Sequence, residues 1–241
     1  MTIKKYGLVI AEKSYGESDK ILTLLLKNLG KLKVYARGAK KLSSKFFAAS
    51  QVFSCSEFVI SKNKDFYNLS QANLIENLAP RSYTEFCYAT YFCELVEKFL
   101  SYQSVADNIL LLLIKTLKLL PEISPVYIAR IFEFKFMQLN GFEPQINFCH
   151  SCSCMKNKMY FDGDGLVCEN CLDRTKIFCM ISDSALTFLR TILSTKFNDL
   201  IDKTEVFSRE LIAPSRVFIS ANLDLNLNSK KFIYQIENFS D

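Results

Sequence analysis

KLKVYARGAKKLSSK, residues 31–45, carries Lys31, Lys33, Arg37, Lys40, Lys41 and Lys45 and no Asp or Glu. Its first half alternates with the period of a strand. Leu32, Val34 and Ala36 fall on one face, Lys33, Tyr35 and Arg37 on the other. One face can join a core while the other offers cation, aromatic ring, cation. That pattern suits a phosphate backbone with bases to stack on. The competing explanation is an ordinary solvated face, and charge alone does not separate the two.

The surrounding sequence makes this stretch one strand of five. Gly7–Lys13 reads as a first strand followed by the polar turn SYGESD. Lys20–Lys27 reads as a second, closed by Asn28-Leu29-Gly30, and Lys31–Arg37 as the third. Phe53–Ser61 and Phe66–Gln71 supply a fourth and fifth, separated by Lys62-Asn63-Lys64-Asp65. Five short strands in roughly 75 residues fit a small barrel such as an OB-fold. An SH3-like barrel fits the count nearly as well.

Beyond Pro80 the period becomes helical. Ser82-x-x-Glu85 is a capping-box signature opening a helix through about Gln103. Asp107 is placed to cap a second helix ending at Pro121. Ser124-Pro125 opens a third that runs to Gly141, with Pro in its first turn and Gly past its end. This third helix is apolar on most sides and is expected at the centre of a helical domain. Ser182 is placed to cap another through about Lys196. Thr204–Ser220 is helical in character, with a kink or break expected at Pro214.

Charge is unevenly distributed. Residues 1–80 hold 13 Lys and Arg against 6 Asp and Glu, a net of +7, and residues 81–241 hold 17 against 19, a net of −2. The basicity therefore belongs to the first third, which points to a polyanionic partner there. With 49% hydrophobic residues, the chain has ample material for a folded core. The N-terminal apolar run, Leu8–Ala11, is too short for a secretory signal. Ile109–Leu120 is interrupted by two lysines and too short to cross a bilayer. A soluble cytoplasmic protein without membrane association is expected.

Of nine cysteines, four form two pairs, Cys149-x2-Cys152 and Cys168-x2-Cys171, with 15 residues between the pairs. This is the spacing of a four-cysteine zinc site. Met159–Phe161 and Gly165–Val167 flank Asp162-Gly163-Asp164, so the intervening segment reads as the hairpin of a zinc ribbon. His150 and Cys154 are available as alternative ligands. Cys149 and Cys152 are preferred because they mirror the second pair. Four protein ligands leave no open position, so one structural Zn2+ is expected. Cys55, Cys87, Cys93 and Cys179 read as buried fillers.

No catalytic constellation emerges. His150 is the only histidine and lies beside an expected ligand, and seven glycines leave no phosphate-binding loop. Glu12, Glu17 and Asp19 are better explained as turn residues than as metal ligands.

Assembled, these motifs resemble the bacterial DNA repair protein RecO family. YGLVIAEKSYGESDKILTLLLKNLGKLKVYARGAKKLSSK is similar to the family's opening segment. It includes a Gly-Glu-x-Asp turn (Gly16–Asp19), a Gly before the third strand (Gly30) and a basic Arg-Gly-Ala-Lys-Lys segment (Arg37–Lys41). FEFKFMQLNGFEPQINFCHSC resembles the family's helix, Gly-Phe-x-Pro turn and first cysteine pair. Ser153 departs from the Gly common after that pair, and Cys154 is extra. The resemblance implies an α+β multidomain chain. Its parts are an OB-fold at residues 1–80, an α-helical domain at 81–145 and 176–241, and a zinc-binding insert at 146–175. It further implies a nucleoid-associated recombination mediator and not an enzyme. Such a protein binds single- and double-stranded DNA and engages RecR and the C-terminal tail of single-stranded DNA-binding protein. It also helps RecA load at gaps and anneals complementary strands. The expected DNA-binding residues are Lys31, Lys33, Tyr35, Arg37, Lys40, Lys41 and Lys45. A protein–protein adaptor with an RNA-binding or weakly nucleic-acid-binding OB domain is the alternative.

Overall fold

In the computed structural model, which describes residues 2–63, 66–156, 158–200 and 209–239, the chain divides into two compact units. They comprise Met1–Pro121 with Leu227–Asp241, and Glu122–Asn226.

The first unit is built on a closed five-stranded barrel of β1 (Thr2–Tyr15), β2 (Asp19–Leu26), β3 (Gly30–Ala36), β4 (Ser54–Asn63) and β5 (Phe66–Asn77). Its strand order is β1-β2-β3-β5-β4, returning to β1. This closed Greek-key order is that of the OB-fold, which strand count alone did not separate from an SH3-like barrel. Strand β1 is twice the expected length because it serves both neighbours. Thr2–Leu8 pairs with β4 and Gly7–Tyr15 with β2, and the register shifts between Val9 and Ala11. Such a bulge bends a strand around a barrel. The residues Lys64 and Asp65 of the expected β4–β5 turn lie outside the described residues.

Val9, Leu22, Leu24, Leu26, Leu32, Val34, Ala36, Phe58 and Ile60 fill the interior. The alternation expected along residues 31–37 is present, with Leu32, Val34 and Ala36 buried and Lys33 and Arg37 exposed. Strand β2 is different. Leu25 is as fully buried as Leu24 and Leu26, so both of its faces are covered, as its unbroken apolar run permits. The outer cover comes from α1 (Tyr83–Phe99), which packs on β1, and α2 (Asp107–Leu119), which packs on β1 and β2. A C-terminal helix the sequence reading did not identify, α6 (Lys230–Phe239), packs on α1. By compactness these three helices therefore group with the barrel.

Helix α1 begins as expected. Ser82 Oγ accepts from Glu85 N, and Glu85 Oε2 accepts from Arg81 N at 2.7 Å. Asp107 does not cap α2. Its carboxylate accepts from Asn28 N at 2.7 Å, tying the β2–β3 turn to the start of that helix, and the residue before the helix is Ala106.

In the second unit α3 (Pro125–Leu139) packs against α4 (Asp183–Ser194) and α5 (Ile212–Asn222). Pro125 stands in the first turn of α3, and Gly141, at φ +85°, lies just past its end. Ser182 caps α4 by accepting from Ala185 N, and Leu186, Leu189 and Leu193 are buried. Pro214 kinks nothing in the described helix, because it falls in the first turn of α5, where a missing N–H is harmless. Residues 204–208 of the helical stretch expected there lie outside the described residues.

The centre of α3 also holds charge that its apolar pattern concealed. Arg130 and Glu133 are both almost wholly buried. They face each other through Nε–Oε2 at 2.9 Å and Nη2–Oε1 at 3.1 Å. Removing one partner of such a pair leaves an uncompensated charge in the interior. Glu133→Ala is therefore expected to destabilise this unit by about 3 kcal/mol or more, measured as a lowered midpoint in urea denaturation. A shift within experimental error would show that the pair is not needed.

Candidate nucleic-acid interface and metal centre

The basic stretch is organised by a carboxylate. Asp19, at the start of β2, accepts the Tyr35 hydroxyl on Oδ2 and Gly38 N on Oδ1 at 2.7 Å. Ser18 O accepts Lys40 N at 2.9 Å, and Gly16 O accepts Lys40 Nζ at 2.9 Å. The Gly16–Asp19 turn and the Arg37–Lys41 segment, far apart in sequence, thus dock onto each other. The Tyr35 ring also meets Tyr15 edge-on, with centroids 5.7 Å apart.

Seven residues were expected to bind DNA. Lys33, Arg37, Lys41 and Lys45 are exposed, and Lys45 Nζ lies 5.1 Å from the Phe46 ring centroid. Lys40 is half-buried with its ammonium anchored on Gly16 O. Tyr35 is half-buried with its hydroxyl committed to Asp19. Lys31 is different. It is only 4% exposed, and its ammonium donates to the carbonyl of Glu97 in the last turn of α1. Burial pushes its pKa down, with nearby Glu97 opposing the shift. Strand alternation places Lys31 on the outward face, but that end of β3 is covered by the α1–α2 connection, so its charge is spent within the fold.

The other carboxylates near the first turn are not assembled for metal. Glu12 pairs with Lys20 at 2.8 Å, and among the described residues no ligand group includes Glu12, Glu17 or Asp19. Asp19 was missed as an organising residue because nothing local marks its two partners, 16 and 19 residues away.

In the second unit the Sγ atoms of Cys149, Cys152, Cys168 and Cys171 all lie within 4.8 Å of one another. Cys152 and Cys168 are 3.8 Å apart. A tetrahedral ion with metal–sulfur bonds of about 2.3 Å requires sulfur–sulfur edges of about 3.8 Å. The thiols therefore fit a metal. β6 (Met159–Phe161) and β7 (Leu166–Cys168) form the expected hairpin, with β8 (Cys179–Met180) added on the far edge of β6. The core here is small: Cys149, Tyr160, Val167 and Cys168 are its buried members.

Burial pushes the Cys149 thiol up, but the backbone N–H groups of Cys168, Cys152 and Ser151 outweigh it and bring the pKa down to about 6. Cys171 moves the other way, to about 12, through hydrogen bonds with the Cys168 and Cys152 thiols. One thiolate is favoured and further negative charge is resisted, the condition a bound cation relieves.

Cys154 stands outside this group. His150 instead places Nε2 3.0 Å from Asp162 Oδ2 and donates its backbone N–H to Leu166 O, joining the first cysteine turn to the hairpin. His150, Asp162 and Asp164 form a second set of clustered ligand atoms, which the His–Asp hydrogen bond explains. Ser153 has φ 58°, a conformation that favours glycine. Burial raises the thiol pKa of Cys55, Cys93 and Cys179, in keeping with their reading as inert fillers.

Comparison with known proteins assigns these parts. Residues 1–78 match the family described as Recombination protein O N terminal, and residues 80–231 match Recombination protein O C terminal. The chain belongs to the RecO family. A DNA repair protein RecO of Acetivibrio thermocellus is 30% identical over 98% of this chain and 97% of its own length. That of Caldicellulosiruptor bescii is 35% identical over 73% of this chain and 74% of its own. That of Bacillus pumilus is 30% identical over 98% and 95%. RecO membership, the OB barrel with its helical partner and the close cysteine quartet agree with what the sequence resemblance implied. No described helix is long and apolar enough to cross a membrane.

The Asp19 clamp has a pH signature. The Tyr35 hydroxyl, then the Gly38 N–H, hold its carboxyl below the ordinary 3.8. A depressed folded-state pKa contributes stability that is present above the unfolded value and lost as pH falls through the folded one. The clamp should therefore persist at neutral pH and release only below the normal carboxylate range. Side-chain NMR titration of Asp19 should place its midpoint below 3.8, and Tyr35→Phe should raise it. An unshifted midpoint in the wild-type protein would refute the clamp.

Proposed function

We propose that this RecO-family chain is a non-catalytic recombination mediator. On this reading it binds single- and double-stranded DNA through Lys33, Arg37, Lys41 and Lys45, with Lys40 and Tyr35 fixed beside them by the Asp19 turn. The carrying observation is that these exposed cations lie on one strand face and the loop that continues it, outside a closed barrel whose interior is apolar. Phosphate contacts of this kind bind without reading sequence. Lys31 is removed from the expected set because it is buried.

The family resemblance supplies the rest: engagement of RecR and single-stranded DNA-binding protein, promotion of RecA loading at gaps, strand annealing, and a cytoplasmic, nucleoid-associated setting. The functional parts are taken to be residues 1–80, 81–145 with 176–241, and 146–175.

A protein-adaptor reading has one observation in its favour. An apolar groove of about 910 Å³, lined by Val52, Phe53, Tyr83, Phe86 and Phe232, opens within the first unit. Glu12, Glu94 and Glu97 also line it, so it is electrostatically unsuited to the acidic tail that reading invoked.

Replacing Arg37, Lys40 and Lys41 together by Ala should weaken single-strand binding at least tenfold at low salt. The slope of log K against log salt should flatten by about 2, roughly 0.7 for each lost phosphate contact. Fluorescence anisotropy across a salt series reads both quantities. Unchanged affinity and slope in a folded triple variant would remove the patch from the DNA site.

We also propose that the four thiols hold one structural Zn2+. The bound ion would neutralise the clustered thiolates and fix the two cysteine turns. Elemental analysis should find one zinc per chain, and Cys168→Ser should lose it while salt-sensitive DNA binding by the barrel persists. A metal-free wild-type protein of full stability would refute the assignment.

A further inference from the structure

The closed barrel has a gap in its pairing. β3 meets β5 at one register pair, Tyr35 with Asn68, so the first half of β3 lacks that neighbour. Its place is taken by the α1–α2 connection. Tyr102 forms a parallel bridge with Lys31, and Gln103 N donates to Lys31 O at 2.9 Å. The close approach requires Gly30. A Cβ there would stand 1.9 Å from Ser104 O, and its φ of +81° already favours glycine. Gln103, at φ 60°, turns the chain back after Tyr102. The Tyr102 backbone is thus held against the strand that carries the basic face.

Its side chain is not buried there. Tyr102 is 45% exposed, an aromatic ring left open to solvent. Two ammonium groups stand over it, Lys31 Nζ at 4.4 Å and Lys33 Nζ at 5.1 Å from the centroid. Hydrogen bonding with Tyr102 raises the Lys33 pKa, so that cation is fully charged beside the ring. An exposed, backbone-anchored ring next to an exposed cation is the pairing that single-stranded nucleic acid requires, one part for the base and one for its phosphate. Tyr35, the aromatic residue expected in that role, has its hydroxyl held by Asp19 and is less exposed.

We propose that Tyr102 is a base-stacking platform for single-stranded DNA, with Lys33 engaging the adjoining phosphate. The assignment rests on the DNA-binding reading above and extends the surface to a residue outside the barrel strands. A stacking platform accepts unpaired bases and not a closed duplex. Tyr102 therefore gives the surface a preference for single strands that cations alone do not supply.

The chain contains no tryptophan, which makes Tyr102→Trp a site-specific probe in the full-length protein. Adding oligo-dT should quench its emission, while a blunt duplex that also binds should leave it nearly unchanged. Tyr102→Ala should weaken oligo-dT binding about tenfold or more, leaving duplex affinity and the salt slope as in wild type. Tyr102→Phe should stay within about twofold, because the ring and not the hydroxyl is used. Equal loss for single strand and duplex, or an unquenched tryptophan under saturating oligo-dT, would overturn the proposal. If Tyr102→Ala does not fold, the tryptophan signal decides. Failure of the wild type to bind DNA would instead sink the underlying reading. Loss of binding on replacing Arg37, Lys40 and Lys41, together with a silent Tyr102, would overturn this assignment alone.

Discussion

The basic surface depends on one carboxylate. Asp19 accepts from a side chain on β3 and from the backbone where β3 gives way to the loop. Without it, Gly38 N and the Tyr35 hydroxyl would need other partners, and the loop from Arg37 onward would be tied to the barrel mainly through Lys40. A cationic loop is self-repelling and has little apolar side chain to bury. Order in such a segment has to come from acceptors supplied elsewhere, here Asp19 and the carbonyls of Gly16 and Ser18. An acidic residue at the edge of a polyanion-binding surface looks counterproductive until its hydrogen bonds are followed. It spends its charge on holding the cations in place.

Period and punctuation carried the fold a long way. Alternation in residues 31–37, the Asn-Leu-Gly turn and the Ser82 and Ser182 caps were readable because each is a local effect: sterics, a positive φ, an orphan N–H. What escaped was non-local. Nothing near Leu25 says that the outer face of β2 is roofed by helices, so the apolar run alone could not place α1 and α2 on the barrel. Asp107 has the right identity and position for a cap, yet a closer donor, Asn28 N, claims it through tertiary contact. α6 was overlooked because Lys230-Lys231 and the polar residues between its apolar positions hide a narrow stripe.

The cysteine module shows the opposite balance. Spacing alone specified which four thiols meet, since two short turns joined by a hairpin leave few arrangements. Its buried core is too small to order the turns unaided, so the chemistry of the ligands has to supply what packing does not. His150 illustrates the limit of reading donors from sequence. Its proximity to Cys149 made it a candidate ligand, but the strand pairing of the hairpin brings Asp162 to it first.

Lys31 and Lys33 share a strand face and nearly the same sequence context, yet only one is open to a ligand. The difference arises about 70 residues away, in the short connection that covers the unpaired half of β3. The ammonium of Lys31 is directed to the Glu97 carbonyl beneath Tyr102, where it supports the ring instead of facing solvent. Lys33, two residues on, escapes the cover and stays at the rim of the same ring. Counting cations therefore overstates the charge available to a phosphate backbone and misses the aromatic group placed among them. The covering segment withdraws one cation from the surface and adds a ring beside the next. This exchanges general attraction for a polyanion for a surface able to distinguish an unstacked base from a paired one.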